Sequence, residues 1–133
     1  MWLLKTEPGE YAYEDLEREG RARWDGVKNP AAQRNLAAMK RGDRVLVYHT
    51  GDEKAVVGEA EVVREAYPDP KYPTGKLVVV DLEPRGRLAR PVTLAEIRAI
   101  PSFAESPLVR QGRLSVVPLD AAQWKAIASR GAS

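Results

Sequence analysis

Short apolar runs bounded by glycine and proline mark the strands of this chain. The first, Trp2 to Thr6, ends where Pro8 and Gly9 turn the backbone. The pattern predicts strands over residues 2–6, 44–49, 55–63, 76–83 and 113–117. Gly58, inside the third run, indicates a bulge or a close backbone approach. The long helical crossovers of a parallel sheet are missing, so the pattern favours a mixed, mainly antiparallel or barrel-like sheet.

Apolar positions with helical spacing and helix-start signals predict four helices among these strands. They begin near residues 13, 30, 93 and 120, and the first three run to 18, 40 and 100. Ala32, Leu36 and Met39 form an apolar stripe on the second helix, and Trp124 and Ile127 face inward on the last. Thr93-x-x-Glu96 and Asp120-x-x-Gln123 have the form of capping boxes. The fold class predicted is α+β, in a single domain over residues 1–133.

Proline and glycine clusters predict the breaks between elements. Three prolines within residues 67–75 exclude regular structure and predict a loop there. Arg85-Gly86-Arg87 is interpreted as a turn that ends the preceding strand.

Composition narrows the classes of function. The chain has 133 residues, no cysteine and one histidine, so it has no disulfide, no thiolate metal site and no cysteine nucleophile. We expect no metal and no cofactor. No apolar run has the length of a membrane span, and the N-terminal run is too short for a signal peptide. We therefore expect a cytoplasmic protein that does not contact a membrane, and separately we expect a monomer.

The charge balance of the chain weakly favours a binding partner that carries negative charge. The net charge is +2 and the isoelectric point is about 9.0. Arginines cluster at 85, 87 and 90 and again at 110 and 113, apart from the acidic clusters. A basic patch is compatible with this distribution, although most such clusters are solvated surface.

The segment from Trp24 to Leu36 is the least generic part of the chain. Trp24 is followed at once by an Asp25-Gly26 turn, which sets a rigid aromatic face beside a sharply bent backbone. Asn29 precedes Pro30 at a helix start. One interpretation is a pocket wall in which Trp24 stacks a flat ring and Asn29 reads its polar edge. The alternative is that Trp24 fills the core and Asn29 only caps the helix.

Five blocks spread over the chain resemble, in order, those of the EVE domain family. They are Trp2-Leu3-Leu4-Lys5-Thr6-Glu7-Pro8, Trp24-Asp25-Gly26-Val27-Lys28-Asn29, Tyr48-His49-Thr50, Glu65-Ala66-Tyr67-Pro68-Asp69, and Arg113-Leu114-Ser115-Val116-x-Pro118-Leu119. The resemblance implies a PUA-like barrel with short peripheral helices, similar to the YTH readers of methylated adenosine. It also implies binding of a modified nucleobase in DNA or RNA without catalysis. The chain departs from the family in a shorter 67–75 loop.

A ligand site follows from the resemblance together with the chemistry of the side chains. Lys5 and Thr6 would supply a cation and a hydroxyl, and Arg110 and Arg113 would meet phosphate or cap the pocket. Ser115 would read a polar edge. The resemblance places Tyr48, His49 and Thr50 on the opposite wall. The full predicted ligand-binding set is Trp24, Asn29, Lys5, Thr6, Tyr48, His49, Thr50, Arg110, Arg113 and Ser115.

Two other functions stay open from the sequence. The first is a small-molecule or protein-interaction module with the same barrel, favoured by the modest charge and the short loop. A basic pocket rim would favour nucleic acid over this rival. The second is hydrolysis through His49, which needs an acid or a nucleophile within hydrogen-bond reach. Thr50 is a poor nucleophile for it, since adjacent strand residues point to opposite faces.

Overall fold

The computed structural model describes residues 1–72 and 75–132, in which six strands form one curled sheet, a half-barrel. The strands are β1 (Trp2–Thr6), β2 (Ala22–Trp24), β3 (Arg44–His49), β4 (Ala55–Pro68), β5 (Val78–Thr93) and β6 (Val116–Pro118). Their order is β2-β5-β4-β3-β1-β6. Only β1 and β3 pair in parallel among these strands. The predicted α+β, PUA-like, mainly antiparallel architecture is therefore confirmed.

Short helices surround the sheet. They are α1 (Tyr13–Glu19), α2 (Pro30–Ala38), α3 (Leu94–Arg98), α4 (Pro107–Arg110) and α5 (Ala121–Arg130), with a 3₁₀ turn at Pro101–Phe103. Both predicted capping boxes form, at Thr93 with Glu96 and at Asp120 with Gln123. Helices α1, α2, α3 and α5 begin within one residue of the predicted positions. None of the helices in the described residues is long and apolar enough to cross a membrane.

Helix α2 packs against the sheet. It packs against β4, β5 and β6, and its predicted stripe of Ala32, Leu36 and Met39 is buried. Asn29 caps this helix, because its Oδ1 accepts a hydrogen bond from the Ala32 N–H at 3.0 Å. Trp124 and Ile127 of α5 are buried as predicted.

Gly58 confirms the prediction of a bulge or a close approach. The β3–β4 register shifts at Val47/Tyr48, and the β4–β5 register shifts between Val56 and Gly58. A Cβ at Gly58 would lie 2.5 Å from ring carbons of Tyr13. The Tyr13 ring thus occupies the space that any larger residue at position 58 would need.

The strands differ from the predictions at several positions, and β5 also begins at Val78 rather than at residue 76. Strand β2 was not predicted, β4 runs on to Pro68, and β6 begins at Val116 rather than 113. Strand β5 continues through residues 85–87, so the predicted turn is wrong. Gly86 faces Glu59 while Pro84 faces Ala60, which makes Arg85 the extra residue of a bulge. Pairing with the long strand β4 thus overrides the local turn signal of residues 85–87. In the predicted 67–75 loop, residues 73 and 74 lie outside the described residues.

Candidate functional site

A cavity of about 690 Å³ lies between the two edges of the curled sheet. One side is the edge strand β2 and the residues that follow it, and the other side is the end of β1 with Ser115, just before β6. The lining residues are Lys5, Thr6, Glu7, Glu10, Tyr11, Glu19, Arg21, Ala22, Arg23, Trp24, Asp25, Gly26, Val27 and Ser115. Because β2 pairs on one side only, every second β2 residue turns backbone N–H and C=O groups away from the sheet. The cavity therefore combines side chains with an open strand edge.

Trp24 is both a wall of this cavity and a part of the hydrophobic core. Its side chain is only 6% exposed, yet it lines the cavity. The Tyr11 ring meets it edge to face, with centroids 5.9 Å apart and planes at 88°. Trp24 therefore fits both interpretations from the sequence, a pocket wall and a core residue. Tyr11 also belongs to the aromatic wall.

Hydrogen bonds fix the Tyr11 part of the wall. Thr6 Oγ1 donates to the Tyr11 carbonyl at 2.6 Å, and the Tyr11 hydroxyl donates to Glu19 Oε1 at 2.8 Å. Partial burial, followed by the Glu19 carboxylate, raises the pKa of Tyr11 above its usual range. The phenol therefore stays protonated and keeps its role as a donor to Glu19.

Lys5 separates the cavity from a second concavity. Its Nζ donates to the Gly112 carbonyl at 2.9 Å and lies 5.7 Å from the centre of the Tyr48 ring. Burial lowers the pKa of Lys5. The second concavity has a volume of about 340 Å³ and is lined by Asn29, Ala31, Arg110, Gln111, Gly112, Arg113 and Leu114. We call it the basic groove.

The basic groove contains two arginines, and they differ in whether they form an ion pair. Arg110 pairs with Glu105 at 2.9 Å, and both side chains are largely exposed. In the part of the chain that the structure describes, Arg113 forms no ion pair. Two guanidinium groups at one concave surface suit an anion such as a phosphate.

The rim of the main cavity carries both signs of charge. Carboxylates of Glu7, Glu10, Glu19 and Asp25 line it together with Lys5, Arg21 and Arg23. Asp25 pairs with the Lys71 ammonium at 2.9 Å, and Arg21 pairs with Asp81 at 3.0 Å. The rim is therefore mixed in charge and is not the basic rim that would favour nucleic acid over a small-molecule ligand.

Four residues of the predicted set therefore line the cavity, namely Lys5, Thr6, Trp24 and Ser115. Asn29, Arg110 and Arg113 lie together in the basic groove. The sequence predicts Trp24 and Asn29 in one pocket, but the Asn29 side chain caps α2 and lines the neighbouring basic groove. The expected single pocket is thus two adjoining ones.

The cavity lining does not include Tyr48, His49 or Thr50. Tyr48 is 4% exposed and supports the Lys5 ammonium through its ring face. Thr50 Oγ1 donates to Glu7 Oε2 at 3.2 Å. These contacts position residues that do line the cavity.

His49 has both ring nitrogens occupied. Nε2 accepts a hydrogen bond from the Tyr13 N–H at 3.0 Å, which places the ring proton on Nδ1, 3.1 Å from Glu53 Oε1. The carboxylate that a hydrolytic histidine needs is therefore present. However, the nitrogen that would act as the base already bonds the backbone, and the residue is buried.

Two positioning residues were missed from the sequence. Tyr11 had no periodic signal, since it lies in the connection between β1 and α1. Gln33 holds the segment after Trp24: its Nε2 donates to the Val27 carbonyl at 2.6 Å, and its Oε1 accepts from the Val78 N–H at 2.8 Å. The sequence signal for Gln33 was its place on α2 next to Ala32 of the apolar stripe. No group of three or more His, Asp or Glu side chains in residues 1–72 and 75–132 is arranged to hold a metal ion.

Comparison with known proteins identifies relatives of this chain. The sequence model of the EVE domain matches residues 1–130. Thymocyte nuclear protein 1 from Homo sapiens is 36% identical over 80 residues, covering 51% of this chain and 36% of that protein. The chain thus matches about a third of the length of this relative.

Solved structures extend the similarity over the whole fold. The NMR structure of a Rhodopseudomonas palustris protein superimposes with a TM-score of 0.92 at 42% identity, covering 98% of this chain and 91% of the other. The crystal structure of human THYN1 protein in complex with 5-methylcytosine-containing DNA has a TM-score of 0.86 at 27% identity, covering 99% of this chain and 97% of that one.

Proposed function

Because the chain belongs to the EVE domain family, we propose that it is a non-enzymatic module that binds a modified base in DNA. The observation that carries this proposal is the cavity of about 690 Å³ with Trp24 and Tyr11 in its wall. Its volume falls within the roughly 300–1,000 Å³ range of pockets that enclose small organic ligands. The structural similarity to the human THYN1 chain that was solved in complex with 5-methylcytosine-containing DNA supports the choice of ligand.

The bound base would leave the base stack and enter the cavity. Extrusion costs a few kcal/mol of unstacking and unpairing. An aromatic wall returns about 1–3 kcal/mol per stacked base, and burial of one methyl group adds about 0.8 kcal/mol. The methyl contribution is small, so discrimination depends on a shaped cavity with polar edges.

Polar groups that line the cavity would read the edge of the base. Thr6 and Ser115 supply hydroxyl groups from one side, and the open edge of β2 supplies backbone donors and acceptors from the other. Lys5, held over Tyr48, supplies a cation at the border of the basic groove.

The basic groove would bind the phosphate beside the extruded base. Arg110 and Arg113 offer planar donors that match phosphate oxygens. Asn29 lines the same groove while it caps α2, and Tyr48, His49 and Thr50 would support the cavity wall. His49 would be structural, since Tyr13 and Glu53 occupy its two nitrogens.

The test is binding of labelled oligonucleotides that contain 5-methylcytosine, with unmodified DNA, matched RNA and free 5-methylcytosine nucleoside as comparisons. We expect tighter binding to the modified DNA than to the unmodified DNA, and an affinity that falls steeply as salt rises, because phosphate contacts release counterions.

The rival function, a small-molecule module, draws support from the mixed charge of the rim. It would show as nucleoside binding equal to oligonucleotide binding, with no salt dependence. That result would refute the proposal of a DNA-binding module.

A further inference from the structure

A cluster of arginines surrounds Tyr67 at the β2 side of the cavity. The Arg64 guanidinium carbon lies 3.6 Å from the centre of the Tyr67 ring, and Arg23 Nε donates to the Tyr67 hydroxyl at 3.4 Å. The Tyr67 hydroxyl in turn donates to Asp81, which also pairs with Arg21. We call Arg21, Arg23, Arg64 and Tyr67 the arginine edge.

The arginine edge has three guanidinium groups, and the carboxylate that it contacts directly is that of Asp81. Asp81 is 8% exposed and is shared between Arg21 and Tyr67. Arg23 and Arg64 are exposed, and within residues 1–72 and 75–132 neither forms an ion pair. Two guanidinium groups are therefore available to an external anion.

The geometry of the cluster preorganises these groups. Stacking on the Tyr67 ring holds Arg64 flat, and the bond to the Tyr67 hydroxyl orients Arg23. Their N–H donors are thus presented with less loss of side-chain freedom than those of an unrestrained surface arginine.

The cluster is continuous with the cavity. Arg21 and Arg23 line the cavity, while Arg64 lies on β4, opposite Asp81 of β5, and stacks on the Tyr67 ring. The basic groove adjoins the cavity at the opposite, Lys5 side. Cationic groups thus adjoin the cavity at its β2 side and at its Lys5 side.

We propose that the arginine edge binds the sugar–phosphate backbone on one side of the base that occupies the cavity, with Arg23 and Arg64 contacting phosphate oxygens. This inference rests on the proposed function, because it assigns the path of the same DNA strand. The strand runs from the basic groove across the cavity mouth to the arginine edge. Arg23 and Arg64 contribute affinity and not discrimination between modified and unmodified bases, since phosphate contacts are independent of base identity.

The experiment measures the affinity for a 5-methylcytosine-containing oligonucleotide over a series of salt concentrations, for the wild type, Arg23→Gln, Arg64→Gln and the double variant. Each lost phosphate contact reduces the slope of log affinity against log salt by about 0.7–0.9, and the double variant by about twice that. The ratio of affinities for modified and unmodified DNA stays unchanged. Arg64→Lys keeps the charge without the planar group and retains most of the slope.

The control variant is Arg130→Gln at the end of α5, whose guanidinium donates to the Ala126 carbonyl of the same helix. It removes one positive charge away from the cavity lining and leaves the slope unchanged. Circular dichroism and chemical denaturation confirm that each variant is folded. If the wild-type protein binds the oligonucleotide but Arg23→Gln and Arg64→Gln show the same salt dependence as the wild type, the phosphate-binding role of the arginine edge is refuted while the proposed function stands. Absence of wild-type binding to any oligonucleotide would overturn the proposed function and the arginine edge together.

Discussion

Truncation of Trp24 separates its two roles only if folding and binding are measured on the same variant. The side chain is 6% exposed and meets Tyr11 edge to face, so Trp24→Ala removes core packing as well as the cavity wall. Truncation of a buried tryptophan to alanine costs about 3–5 kcal/mol of unfolding free energy. We expect a loss toward 3 kcal/mol, because the part of the ring that borders the cavity lacks packing partners on that side.

Trp24→Ala should also weaken DNA binding, by an amount that does not depend on the loss of folding stability. Loss of a base stack removes about 1–3 kcal/mol of affinity, which corresponds to a roughly 5- to 150-fold rise in the dissociation constant. Trp24→Phe keeps an aromatic ring, so it should keep much of the affinity at a cost of about 1 kcal/mol in stability. Urea denaturation and oligonucleotide titration on the same preparations give both quantities.

Trp124 provides the matched control. It is 5% exposed on α5, stacks with Arg44 at 5.1 Å and does not line the cavity. Trp124→Ala should therefore lose a similar amount of stability and keep wild-type binding under conditions where the variant is folded. If Trp24→Ala is folded and binds with unchanged affinity, or if Trp124→Ala loses binding equally, the assignment of Trp24 as a stacking wall is refuted.

Three further predictions concern the frame around the site. Gly58→Ala should lower the unfolding free energy by about 1–3 kcal/mol, measured by urea denaturation, because the new methyl group overlaps the Tyr13 ring. Gln33→Ala should lower the unfolding free energy by about 1–3 kcal/mol, since it leaves the Val27 carbonyl and the Val78 N–H without this partner. Amide hydrogen exchange in the segment after Trp24 should accelerate. The Arg90 guanidinium, followed by a backbone N–H, lowers the pKa of Glu96 from 4.5 to about 2. The stability that Glu96 contributes is therefore present above pH 4.5 and is lost as pH falls toward 2, so the gap between wild type and Glu96→Gln in urea titrations should be constant near neutrality and close over that interval. A gap that widens on acidification would contradict the assignment.

Elements with local chemical signals were predictable from the sequence. The capping residues Asn29, Thr93 and Asp120 each accept the backbone hydrogen bond that their position implies. Helix caps depend on residues within one turn, so a single sequence contains the required information. The strands β1 and β3 were predicted at their observed bounds for a related reason, since their apolar runs are short and sharply delimited.

Features that depend on distant partners were not predictable in the same way. Strand β2 has three residues, and it forms because β5 pairs with it. Residues 85–87 have the composition of a turn but are held as a bulge by β4. The site follows the same rule: Lys5, Thr6, Trp24 and Ser115 meet because the sheet curls, whereas Asn29 faces the neighbouring groove.

The most direct test of a base bound against Trp24 is NMR of the tryptophan indole N–H groups during titration with the 5-methylcytosine-containing oligonucleotide. The chain has three tryptophans, so the ¹H–¹⁵N spectrum resolves three indole signals that are assigned with Trp24→Phe and Trp2→Phe. Trp2 donates its indole N–H to Asp43 at 2.9 Å and, like Trp124, does not line the cavity. The account predicts a large saturating shift of the Trp24 signal, with little change in the other two and a smaller response to unmodified DNA. Saturable binding that leaves the Trp24 signal in place would contradict it.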